Sequence, residues 1–197
     1  MGKPKNTLGL VAAAVAFGIV LGLIKGNDTG LRGGIGNLSA PWLLIGLVPA
    51  LHYRTLVRGA AIGLICTLAG LVGFYATLTL VLHGQLGGGG PVPEFLVEMK
   101  ANHIYLWSGA VSGPIAGAFG AWIGRRSTKS ILLSIGALMS CEIAAVALAQ
   151  GRHRLPVPFY FAWGTTDWAP YIGELLVGIA IIVGALYLNR VRPATIR

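Results

Sequence analysis

Charge is what this chain has least of. Only 11% of its 197 residues are Asp, Glu, Lys or Arg, where a soluble domain carries about a quarter. Acidic residues are the scarcest, six against 15 basic. The two cysteines, Cys66 and Cys141, fall in separate apolar runs, a placement that supports neither a disulfide nor a zinc site and suits small packing residues. The four histidines, His52, His83, His103 and His153, sit at loops or at the ends of apolar runs. None has the spacing of a metal motif, so no metal and no cofactor is expected. No GxSxG, intramembrane Ser-His-Asp order or aspartate pair is present, so the chain does not read as an enzyme. The net charge of +9 comes from basic residues at the ends of apolar runs, not from a basic face or arm, and nucleic acid is therefore not an expected partner.

What the chain does have is apolar length. Hydrophobic residues make up 55% of it, the mean hydropathy is +0.74, and the apolar residues are gathered into runs. A helix of about 20 apolar residues crosses a hydrocarbon core of about 30 Å. Runs at 7–24, 38–53, 59–82, 105–124, 130–149 and 170–188 meet or approach that length. The first follows a basic start but is long and lacks a clear cleavage site, so it reads as an uncleaved span. The second is short and holds Pro49, which suggests tilt or a kink. The spacing thus predicts an all-α polytopic membrane protein of six transmembrane helices, forming one domain over residues 1–197. Between the runs, 25–40 and 83–104 read as loops, the latter with four glycines at 87–90. These four read as flexible linker, because no Lys-Ser/Thr or strand–helix context accompanies them. A further loop at 150–169 is rich in aromatics.

The basic residues orient the spans. With the N-terminus in the cytoplasm, the inner segments hold Lys3, Lys5, Arg54, Arg58, Arg125, Arg126, Lys129, Arg190, Arg192 and Arg197. The outer ones hold Lys25, Arg32, Lys100, Arg152 and Arg154, together with Asp28, Glu94, Glu98 and Asp167. Both termini are expected to be cytoplasmic and the membrane to be the plasma membrane.

Two carboxyl groups fall inside apolar runs. Glu142 lies about 18 Å along its span from Ser130, in the outer half, and Glu174 about one turn in from Pro170. Ionisable groups in such places are costly and mark ligand or ion pathways. One reading makes Glu142, with Glu174, the polar contact of an outward-facing pocket for a cation or a hydrogen-bonding solute. Another makes them structural acids bonded to a neighbouring helix, with Glu174 merely interfacial. Aromatics favour the same side: Trp42, Phe95, Tyr105, Trp107, Phe159, Tyr160, Phe161, Trp163, Trp168 and Tyr171 lie in or beside outer segments, against Tyr53, Trp122 and Tyr187 at the inner ones. They form either an interfacial belt or a cap over the pocket. In the second case Trp107, Trp163, Trp168 and His103 are ligand contacts.

Glycine is abundant, at 30 residues. Ala14, Gly18 and Gly22 are four apart, and so are Gly109, Gly113 and Gly117. Such faces let helix backbones approach closely in lipid. They serve packing within the bundle, or docking of another membrane protein.

Taken together, GNLSAPWLLIGLVPAL (36–51), GFYAT (73–77), WSGAVSGPIAGAFGAW (107–122) and SCEIAAVAL (140–148) resemble a bacterial, mainly actinobacterial, family of six-span membrane proteins known only as a domain of unknown function. That resemblance covers roughly residues 10–188 and implies the fold but no activity. The architecture is also similar to the S components of energy-coupling-factor transporters, which bind their ligand on the outer side and dock a partner through small residues of the first span. Two functions follow as expectations. The first is binding or transport of a small solute. The alternative is a non-catalytic subunit or assembly factor of a larger membrane complex. The lipid bilayer is the partner common to both.

Overall fold

A computed structural model of the chain describes residues 7–26, 30–81, 90–151 and 168–187. Among these residues the regular structure is entirely helical: α1 (Thr7–Lys25), α2 (Leu31–Gly36), α3 (Ser39–Ala50), α4 (Leu56–Val81), α5 (Pro91–Ala101), α6 (His103–Ile123), α7 (Thr128–Gly151) and α8 (Ala169–Tyr187). Five stretches are long and apolar enough to cross a membrane: α1, α2 with α3, α4, α7 up to Leu148, and α8. The protein is therefore a helical, multi-pass membrane protein. At 21 residues α6 has the length, but it is not among these five apolar stretches.

The chain divides into two compact units, Met1–Trp122 and Ile123–Arg197. In the first, α4 is the central helix. Ala14, Gly18, Leu21 and Gly22 of α1 are buried, with Gly18 directly against the Gly70 carbonyl and Gly22 so placed that a Cβ there would meet that of Thr77 at 2.8 Å. On α6, Gly109, Gly113 and Gly117 fit against Leu71, Thr67 and Gly59 of the same α4. Both glycine faces are thus used inside the unit, where close backbone approach gains dispersion contacts that lipid does not supply. The hydroxyls of Thr77 and Thr79 donate back to the carbonyls of Gly73 and Tyr75 at 2.9 and 2.8 Å, satisfying two buried polar groups within α4 itself.

Two segments expected to be loops contain helices. Within 25–40, the short α2 is tied to the end of α1: Arg32 Nε donates to the Ile24 carbonyl at 2.8 Å and its Nη2 to that of Leu23 at 2.9 Å. These carbonyls are among the last of α1, which have no partner in their own helix. Lys25 Nζ adds a bond to Asn37 Oδ1 at 3.0 Å. Tertiary hydrogen bonds therefore override the poor helix propensity of the glycines. Within 83–104, α5 begins at Pro91, whose missing N–H and fixed φ suit a first helical position. Gly90 precedes it at φ +92°, a conformation glycine adopts freely. Phe95 and Met99, one turn apart on α5, pack on the cluster of Leu21, Leu71, Phe74, Tyr75 and Leu78. In the second span, Pro49 falls in the last turn of α3, so the helix ends near it.

The second unit contains α7 and α8. Gly136 lies against Gly178 and Ile182, and Ser140 against Gly178. Moving forward along α7 thus means moving back along α8, and the two helices form an antiparallel hairpin.

Candidate functional site

The start of α7 is set by Ser127, whose Oγ accepts from the Ser130 N–H at 3.2 Å, a side-chain cap of the kind serine favours. The preceding turn is closed by the Arg126 N–H donating to the Ile123 carbonyl at 2.8 Å. From that start the helix carries Glu142 about 21 Å along its axis. Helix α8 opens with Pro170 near its first residue, and Glu174 follows about 8 Å in.

The antiparallel register brings these two acids together. Glu142 and Glu174 are only 7% and 4% exposed, and each carboxyl lies within the other's electrostatic reach. Around them are apolar groups: Val146, one turn after Glu142, is fully buried, and Tyr171, three residues before Glu174, is 1% exposed. Both oxygens of Glu174 are buried without a hydrogen-bonding partner. A carboxylate only accepts hydrogen bonds, so neither acid can donate to the other unless one of them carries a proton. Leaving buried polar atoms unpartnered is expensive, and natural proteins rarely do so without a functional reason.

One turn after Glu174, Gly178 faces Ser140. A Cβ at that glycine would meet Ser140 Oγ at 2.5 Å, so the absence of a side chain lets the hydroxyl into the seam. Its oxygen too is buried without a partner. Ser140 was not singled out in the sequence. The signal was present, since Gly136 and Ser140 are four apart and form a small-residue face opposite Gly178.

The other expected contacts are distributed as follows. Trp168 is 37% exposed and its ring meets that of Tyr171 at 6.3 Å in an edge-on arrangement. Trp163, with Phe159, Tyr160 and Phe161, lies outside the described residues. Trp107 and His103 belong to the first unit. Trp107 is 70% exposed, and His103 Nδ1 pairs with the Lys100 carbonyl at 2.9 Å, the ring nitrogen acting as donor. Three aromatics expected in a belt or cap instead pack inside the first unit. Trp42 is edge-on to Phe17 and Phe74 at 6.3 and 5.2 Å, and Phe95 and Tyr105 rest on the Phe74–Tyr75 cluster. Edge-to-face pairs of this kind contribute about 0.5–1.5 kcal/mol beyond their buried area.

A second polar group in the first unit also escaped the sequence reading. Lys25 Nζ, besides its bond to Asn37, lies 5.4 Å from the centre of the Phe74 ring and is attracted by Glu98. Glu98 Oε1 in turn accepts from Asn102 Nδ2 at 2.9 Å. Its groups are mutually partnered, so it ties α1, α2 and α5 together and presents no idle atom. An apolar groove of about 420 Å³ between α1 and α4, lined by Val15, Ile19, Val72 and Leu80 among others, offers no polar chemistry. Among the described residues no three His, Cys, Asp or Glu side chains cluster as metal ligands, and both cysteines are free, Cys66 buried and Cys141 exposed. Compared with family models, characterised proteins and solved structures, the chain matches none.

Proposed function

We propose that the protein binds or transports a small solute, cationic or hydrogen-bonding, at an outward-facing site centred on Glu142 and Glu174. The observation that carries this reading is the facing pair itself: two carboxyl groups, both more than nine-tenths buried, with two idle oxygens on Glu174. Ionisable groups in such a position are costly to place and need a partner. Two carboxyls do not partner each other unless a positive charge, a proton or a bound cation, comes between them.

In this reading the chain has six spans, α6 being the one beyond the five apolar stretches, and both termini face the cytoplasm of a cell whose plasma membrane holds it. The excess of Lys and Arg in the segments assigned to the inside supports that orientation, which places Glu142 in the outer half. Trp168, edge-on to the Tyr171 that lies three residues before Glu174, is a further contact to the solute.

The reading as a subunit or assembly factor is favoured less, because both glycine faces are packed within the first unit. Gly18 and Gly113, the centres of the two glycine faces, are covered by Gly70 and Thr67 of α4.

The test is uptake and binding in proteoliposomes, using a panel of labelled small organic cations and neutral polar solutes. One member should accumulate or bind, and E142Q should lower that signal at least about tenfold, the cost of one lost charge-assisted hydrogen bond. A signal unchanged in both E142Q and E174Q removes the pair from the function.

A further inference from the structure

The seam between α7 and α8 is rich in acceptors and poor in donors. Both Glu174 oxygens and the Ser140 oxygen are buried and unpartnered, and Glu142 faces Glu174. Like charges this close, in apolar surroundings, repel strongly unless a positive charge sits between them. A proton is one such charge. A primary ammonium group is another, and its three N–H donors can satisfy one oxygen from each glutamate and a third acceptor.

We infer that the Glu142–Glu174 pair holds these two charges alternately, so that binding the primary ammonium group of a small organic amine expels one proton. This rests on the reading of the pair as the solute site and names the class of solute. The balance is simple: the singly protonated pair and R–NH3+ give the ammonium-bound pair and H+, with no covalent bond to carbon made or broken. The proton leaves to water. No other titratable side chain described in the second unit substitutes for the pair. Cys141, next to Glu142, is exposed, Tyr171 is a buried phenol packed on Trp168, and Arg125, Arg126, Lys129 and Tyr187 belong to the opposite end of the hairpin.

The experiment adds methylammonium to the purified full-length protein in nanodiscs in weak buffer. Bound methylammonium is followed by calorimetry and released protons by a pH-sensitive dye. About one proton should appear per methylammonium bound, and the apparent affinity should rise roughly tenfold per pH unit over the range in which the pair is protonated. Tetramethylammonium, which has the charge but no N–H donor, should bind poorly. Methylammonium that binds at every pH tested without releasing protons overturns this inference while leaving the solute site intact. Equal binding of tetramethylammonium overturns the assignment to a primary ammonium. Full binding and release in both E142Q and E174Q, checked for folding by size exclusion, overturns the site itself.

Discussion

Gly18 of α1 rests on the backbone carbonyl of Gly70 of α4 so closely that not even a methyl group fits between them. The contact is backbone on backbone, so a larger residue at position 18 has no flexible neighbour to displace, and the helices must separate. Gly18→Leu is expected to cost about 1–3 kcal/mol, as overpacking does, despite a gain in helix propensity. Cys66, 0% exposed within the same core, reports the outcome. Thiol labelling against temperature should show it reacting earlier in the variant. Gly184→Ala, where an added Cβ meets nothing within 4 Å, should not shift the curve. Identical curves for the two variants contradict the α1–α4 packing.

Lys25 joins three segments through Asn37, Phe74 and Glu98. Replacing it with Met keeps the length of the stem and removes the charge, leaving Asn37 and Glu98 short of a partner. The expected loss is about 1–3 kcal/mol in stability. A double-mutant cycle with Glu98→Gln should give a coupling of about 0.5 kcal/mol or more. Strict additivity would mean that α5 is held by Phe95 and Met99 alone.

The orientation of the spans makes a separate prediction. With Cys66 and Cys141 replaced by alanine, single cysteines are placed at Lys100, just before α6, and at Ser127, in the turn before α7. In intact cells a membrane-impermeant maleimide should label the first and not the second until the membrane is opened. The reverse pattern contradicts the charge-based orientation. Labelling of both in intact cells contradicts α6 as a span.

The positions of the long helices were legible because apolar runs record them directly: 7–24 became Thr7–Lys25, 130–149 became Thr128–Gly151, and 170–188 became Ala169–Tyr187. The short α2 and α5 were not. Their helical state depends on bonds and packing from residues far along the chain, such as Arg32 on the end of α1 and Phe95 on the Phe74 cluster. The acids Glu142 and Glu174 stood out individually because a carboxyl in an apolar run is rare. Their pairing is a matter of register between α7 and α8, set by Gly136, Ser140 and Gly178. No periodicity within one helix reports such a register. Likewise, nothing local distinguishes Trp42, wedged between Phe17 and Phe74, from an aromatic of the membrane interface.

The most direct measurement is native mass spectrometry of the protein drawn gently from its own membranes, wild type beside the E142Q/E174Q double variant. A small amine or other cationic solute should accompany the wild type and be lost from the variant. A wild-type protein that arrives without a small molecule but with an unrelated complex at fixed stoichiometry would contradict the solute-site reading, and would make Glu142 and Glu174 structural acids of a subunit.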